Sequence, residues 1–179
     1  NYFEAIKLRI NEKYKNRISL EIRGDGNNTV GLFEDAKRIV ESNQRQFSFR
    51  HVWIVYDTDD FPKDKIDSVP ELCKKNSTSD CRYHAIWSNQ CIELWFLLHF
   101  GYYQSDLHRN DYFPKLDRWL KSISSGKYEK NRTDMFSVLE PYMNDAIKNA
   151  THLQQQNKDQ LPSNSKPGTK VYELLKPYF

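Results

Sequence analysis

Asp57 and Asp59, separated by Thr58 and followed by Asp60, come directly after Val52-Trp53-Ile54-Val55-Tyr56. Such a run of β-branched and aromatic residues reads as a buried central strand of a parallel sheet, and open α/β sheets bind ligands in the loops leaving the carboxyl ends of their strands. If the chain stays extended there, carboxylates two residues apart point to the same side. Two converging carboxylates offer oxygen ligands to Mg²⁺, with Mn²⁺ as its substitute. The plainer reading is a solvated acidic turn capping the next helix, since acidic turns commonly follow strands.

A second group of chemistry-bearing residues lies in 109–132. Lys115, Arg118, Lys121, Lys127, Lys130 and Arg132 are interleaved there with Tyr112, Phe113, Trp119 and Tyr128. Basic residues for phosphates and aromatics for bases are what a single-strand nucleic-acid surface requires. An amphipathic helix that packs Phe113, Leu116 and Leu120 inward has the same pattern. Cys73, Cys81 and Cys91 are odd in number and lack the paired spacing of a zinc site, which argues against both a disulfide framework and structural zinc. His84, inside a strand, and His99, at the end of an apolar helix, read as packing residues.

These groups need elements to position them. Phe3, Ile6 and Ile10 recur at helical spacing from the first residues, so the chain is expected to open inside an element, with the natural start lying upstream. Residues 18–23 alternate like a strand, Gly24-Asp25-Gly26 reads as a turn, and Asn27, Asn28 and Thr29 are cap candidates for a helix running to Asn43. After the strand 50–56 come a helix over 63–75, a strand over 82–87, and a helix over 91–100 capped by Ser88-Asn89 and ended by Gly101. Alternating helices and strands call for right-handed crossovers and a mostly parallel sheet. Beyond Tyr112 the pattern predicts no strand, only helices over 112–123, 133–155 and 169–175. The expected organisation is an α/β core over 1–110 and a helical extension over 111–179 packed on it.

The length, 179 residues, suits one compact unit. Aromatics at 14% supply a core, while 28% charged residues imply a polar exterior. The longest apolar stretch, 92–100, contains Glu93 and is too short to cross a bilayer, and no signal peptide opens the sequence, so a cytoplasmic location is expected. A net charge of +3 permits a nucleic-acid partner without demanding one.

The stretch Ser88-Asn89-Gln90-Cys91-Ile92-Glu93-Leu94-Trp95-Phe96-Leu97-Leu98-His99-Phe100, following a strand that ends in Asp57-Thr58-Asp59, resembles the RloB-like family. Tyr128-Glu129-Lys130-Asn131 and Lys166-Pro167-Gly168-Thr169-Lys170-Val171 are similar to its later signatures. The resemblance implies a Toprim-like catalytic domain, a fold shared with topoisomerases and primases, at prokaryotic anti-phage loci and often beside an AAA-type ATPase. In such sites a glutamate after the first strand acts with a later D-x-D pair. Asp57 and Asp59 match the pair, and the glutamate's position would lie upstream of Asn1, so Glu4 is not its counterpart.

These readings converge on a Toprim-like α/β domain, with a mostly parallel sheet and a helical C-terminal extension, acting as a metal-dependent nuclease on RNA, including tRNA, or DNA. Asp57 is the expected principal Mg²⁺ ligand and Asp59 a second. Glu93, costly to bury unpaired, points to the metal or to an Arg, or else interacts with its own helix N-terminus. Lys130 either stabilises developing negative charge or is a plain surface lysine. With Lys115, Arg118 and Lys121 it forms the candidate nucleic-acid contact. The implied partners are an AAA-type ATPase, nucleic acid or a second copy of the chain, with no membrane. The competing reading is a non-catalytic scaffold or sensor for the ATPase.

Overall fold

The computed structural model describes residues 2–15, 19–24, 29–43, 45–46 and 48–179. Apolar side chains at helical spacing build the first two helices, with Tyr2, Ile6 and Ile10 buried in α1 (Tyr2–Tyr14) and Thr29 and Phe33 in α2 (Thr29–Asn43). There follow β1 (His51–Asp57), α3 (Lys63–Asn76), β2 (Arg82–Asn89), α4 (Glu93–Leu98), α5 (Arg109–Ser122) and α6 (Met135–Leu139). A 3₁₀ turn (Glu140–Tyr142), α7 (Met143–Gln156), β3 (Gly168–Thr169) and α8 (Val171–Leu175) complete the order.

The result is an α/β structure around a small mixed sheet, in the order β1-β2-β3 among the described residues. β1 and β2 run parallel from His51 opposite Arg82 to Asp57 opposite Ser88, whereas β3 is antiparallel to β2, pairing Thr169 with Ser88 and Gly168 with Asn89. Alternation along the strands separates two apolar clusters. Ile54, Tyr56 and Trp87 pack with Phe33 of α2 and Ile66, Val69 and Cys73 of α3. Trp53, Val55 and Ile86 face the larger cluster, which α1, α4, α5, α6, α7 and α8 share. Leu116, Leu120, Leu153 and Leu175 thus complete one core with Leu94, Trp95 and Leu97.

Several sequence expectations give way here. β2, and not β1, is the central strand of the described sheet. Residues 19–23 carry no regular structure, and their alternation is met by Leu20 packing on the core. Ile18 and the turn and cap candidates Asp25, Gly26, Asn27 and Asn28 lie outside the described residues. Ser88 and Asn89 end β2 and do not cap α4, which starts at Glu93. The single helix expected over 133–155 is interrupted by the 3₁₀ turn around Pro141, which cannot donate a backbone hydrogen bond. The strand missed after Tyr112 is β3. Its Gly168 passes so close to Trp87 that a β-carbon would lie 2.9 Å from the indole and 2.8 Å from the Ser165 carbonyl. Among the described residues no helix is long and apolar enough to cross a membrane.

Pro70 inside α3 leaves the Ile66 carbonyl without its helical donor, and the Tyr56 hydroxyl donates to it at 3.2 Å. This ties β1 to α3 beneath the acidic loop. Tyr56→Phe is expected to cost about 1–2 kcal/mol in urea denaturation, because it strands a buried acceptor. In a Pro70→Ala background, where the helix supplies its own N–H, the cost should shrink clearly. Equal costs in both backgrounds would refute the coupling.

Candidate functional site

The parallel register sets the acidic loop against the segment that leaves β2. Thr58 N–H donates to the Ser88 carbonyl at 3.0 Å, and Asp59 N–H to the Gln90 carbonyl at 2.9 Å. The Gln90 side-chain oxygen accepts from the Arg109 backbone N–H at 2.8 Å, which fixes the start of α5 beside the same loop. Two loops and a helix start are therefore joined by hydrogen bonds around the carboxyl ends of β1 and β2.

Asp57 closes β1 on the same face as Trp53 and Val55, the face that α4 covers. Its carboxylate accepts a backbone hydrogen bond from Ile92. Burial, reinforced by the Asp59 and Glu93 carboxylates, pushes the Asp57 carboxyl up to about 7, and the Ile92 hydrogen bond and the Lys130 charge only partly oppose this. Glu93, the first residue of α4, is 2% exposed. It accepts the Tyr128 hydroxyl at 2.6 Å and also the Cys91 thiol, both of them neutral donors. Burial, and then the hydrogen bond to Glu93 and its charge, raise the pKa of both partners. Tyr128 is itself positioned by α5, since its backbone N–H donates to Asp117 at 2.7 Å and its ring stacks on Phe113 with centroids 5.7 Å apart.

Asp59 behaves differently from its neighbour. The strand ends at Asp57, and Asp59 sits at φ +40°, a left-handed conformation that Asp tolerates better than most residues. The extended geometry behind the expected convergence therefore stops before Asp59. Its Oδ1 lies 2.7 Å from the Arg109 guanidinium, which also reaches Asp60 Oδ2 at 3.0 Å. Asp60, expected to face solvent or cap the next helix, is a half-share partner in this ion pair.

The other candidate residues are distributed unevenly. Lys130 is exposed yet near enough to Asp57 to favour its charged form. Lys115 is half-buried on α5, Arg118 is exposed, and Lys121 is exposed and pairs with Asp117 at 3.2 Å. Tyr112 is buried in the core and does not stand free to stack on a base, whereas Trp119 is half-buried, donates its indole N–H to the Tyr103 hydroxyl at 2.5 Å and stacks one face on Phe100. Arg109, Tyr128, Gln90 and Cys91 were not singled out from the sequence as site residues. Tyr128 sits in a motif carrying the family resemblance; Arg109 has no local signal, because its partners are far away in the chain. His84 stacks on Trp53 at 4.0 Å and lies 3.0 Å from His51 Nδ1, a cross-strand neighbour that the sequence reading did not pair with it.

The carboxylates of Asp57 and Glu93 offer oxygen, the donor Mg²⁺ prefers, while the neighbouring Cys91 thiol is kept protonated by burial. Among the described residues no group of three His, Cys, Asp or Glu side chains stands together in a way that could hold a metal ion. The donor set fits a water-rich Mg²⁺ held by one or two carboxylates, and does not fit a closed three-ligand centre.

Because the folded state keeps the Asp57 proton up to about 7, against 3.8 for the unperturbed group, the stability tied to that proton is full below about 3.8. It is lost as pH rises to about 7. Asn at this position cannot ionise, so Asp57→Asn should be more stable than wild type by about 2 kcal/mol at pH 8 in denaturant titrations. The gain should fade towards pH 4, and a variant that is destabilised equally at both pH values would contradict the assignment.

Comparison with known proteins gives one positive result: the family model described as RloB-like protein matches residues 1–177. No curated protein and no solved structure matches the chain. A match over nearly the whole length, through β1, the acidic loop, α4 and the Tyr128 segment alike, places the chain in the RloB-like protein family.

Proposed function

We propose that this chain is a Toprim-like, Mg²⁺-dependent nuclease that hydrolyses phosphodiester bonds in RNA, including tRNA, or in DNA. The observation that carries this reading is the Asp57 carboxyl, raised to about 7 at the carboxyl end of β1 by burial and by two neighbouring carboxylates. A fold that crowds carboxylates where ordinary packing would keep them apart gives up stability for a charge that a cation can use. The setting, prokaryotic phage defence beside an AAA-type ATPase, rests on family resemblance.

Asp57 and Glu93 would hold the ion, with waters and a substrate phosphate completing its shell. When bound, Mg²⁺ neutralises phosphoryl oxygens and makes a bound water more acidic. Tyr128 and Cys91 fix the orientation of Glu93 through their hydrogen bonds, so its oxygens need no rearrangement when the ion arrives. Arg109 can exchange its single hydrogen bonds to Asp59 and Asp60 for a phosphate, which a guanidinium can hold with two parallel hydrogen bonds. Asp59, once released, would be free to replace one of these two carboxylates as an oxygen ligand. Lys130 is placed to oppose negative charge growing near Asp57.

One observation favours the competing reading, a non-catalytic scaffold or sensor for an ATPase: Arg109 already neutralises Asp59 and Asp60. Cleavage assays on labelled RNA and DNA separate the two, run in Mg²⁺ and in EDTA, with and without the co-encoded ATPase. The nuclease reading expects Mg²⁺-dependent cleavage that falls by about a hundredfold or more in Asp57→Asn and Glu93→Gln, as for other groups that stabilise developing charge. Tyr128→Phe should lose about 10–100-fold, the usual effect of freeing a ligand from its supporting hydrogen bond. No cleavage in any condition while the ATPase still binds would establish the scaffold, and cleavage that ignores all three substitutions would refute the assignment of these residues.

A further inference from the structure

A cavity of about 330 Å³ opens on the helical side of the molecule, among the end of α4, α5 and α7, and none of the acidic-site residues lines it. Phe100, Tyr102, Trp119 and Tyr142 supply aromatic walls, and His99 and Asp145 are its polar members. Phe100 and Trp119 lie parallel to within 9°.

Three side-chain donors of this lining are already used, and the Tyr142 hydroxyl is the further polar group beside them. Trp119 Nε1–H goes to Tyr103, the Tyr102 hydroxyl to Gln156 at 2.6 Å, and the Asn149 amide to the Leu98 carbonyl at 2.8 Å. His99 is 1% exposed, and its Nδ1 lies 2.9 Å from the Trp95 carbonyl. A carbonyl only accepts, so the proton is on Nδ1 and Nε2 carries a lone pair. That Nε2 is buried with no hydrogen-bond partner among the described residues. Burial also holds the ring neutral, its pKa lowered to about 4, so the lone pair persists at physiological pH. The cavity therefore presents an orphaned acceptor, a carboxylate at the exposed Asp145 and the electron-rich faces of several rings, and among the described residues no Lys or Arg lines it. Anions are disfavoured. A planar cation rich in N–H groups matches every feature, because a guanidinium stacks on aromatic faces and donates to lone pairs and carboxylates together.

We propose that this cavity is a binding site for an alkylguanidinium group, stacked on the aromatic wall, donating to His99 Nε2 and paired with Asp145. The group is either a free small molecule or an arginine side chain of a partner protein. Filling the site would satisfy a buried acceptor that otherwise weakens the fold.

The test follows the His99 ring nitrogens by NMR and binding by calorimetry, on the whole chain. The probes are agmatine, the peptide acetyl-Gly-Arg-Gly-amide, citrulline as the neutral isostere, and the four ribonucleosides. Saturable binding of agmatine or the peptide is expected, moving the Nε2 resonance towards the hydrogen-bonded range, with citrulline weaker by about tenfold or more. Agmatine binding more tightly than the peptide assigns the site to a free ligand, and the reverse assigns it to a partner's arginine. Asp145→Asn, at an exposed position that should not disturb folding, is expected to lose about tenfold in affinity, and His99→Phe at least as much. The proposal is overturned if Nε2 already resonates as hydrogen-bonded to water and does not move, if citrulline binds as well as agmatine, or if a nucleoside binds in preference to both guanidinium probes.

Discussion

The parallel pairing of β1 with β2 is the constraint on which the rest of the site depends. With Asp57 opposite Ser88, the backbone of the acidic loop donates in succession to Ser88 and Gln90, and the chain leaving β2 has one path past Asp57 into α4. A slip of one residue would turn Asp57 to the α2–α3 face and part it from Glu93. What holds the register is the burial of Ile54 and Tyr56 on one face and the packing of Trp53 and Val55 on the other. β3 secures the far side of β2, where Ser88 and Thr169 share a hydroxyl hydrogen bond of 2.8 Å and the Lys170 N–H donates to the Trp87 carbonyl. Residues more than a hundred positions apart therefore fix the same strand end.

Around that strand end, carboxylates receive two kinds of compensation. Asp59 and Asp60 share a guanidinium, partly exposed and of modest energetic value. Asp57 and Glu93 have only neutral hydrogen-bond donors and the more distant charge of Lys130. The first arrangement stabilises a loop, whereas the second leaves negative charge in a half-buried place where charge is costly. A cation entering there would gain from the repulsion it relieves, while Arg109 already holds the neighbouring loop by its pairing with Asp59 and Asp60. Static packing and proposed chemistry thus meet in one electrostatic imbalance.

Much of this architecture was legible in the sequence, and the failures have physical reasons. The apolar run 52–56 gave β1, and helical spacing gave α1, α3 and α5 to within a few residues. Asp57 could be singled out because a second carboxylate follows it two residues on at the end of a buried strand, and Glu93 because a carboxylate within an apolar helix is costly to bury. Arg109 could not be found, because a long-range ion pair leaves no periodicity. The pairing of Asp59 with Arg109 was not anticipated, because alternation holds only while the chain is extended and its positive φ ends that condition, although its carboxylate stays near enough to raise Asp57. β3 was invisible because two residues are too few for a pattern, and its position depends on the close approach of Gly168 to Trp87. Within the basic-aromatic segment, α5 buries Tyr112, Leu116 and Leu120, and beyond it Tyr128 turns to Glu93, while Arg118, Lys121 and Lys130 stay exposed.

The carboxyl of Asp57 tests the central claim most directly. Its titration can be followed by carbon NMR on labelled protein, first without divalent cations and then with Mg²⁺. If Asp57 is held for a cation, it titrates near 7 in the absence of the ion, and Mg²⁺ moves that midpoint down towards the ordinary carboxylate range. A carboxyl that titrates near about 4 from the start, or whose midpoint Mg²⁺ leaves in place, would contradict the cation-binding role of this site.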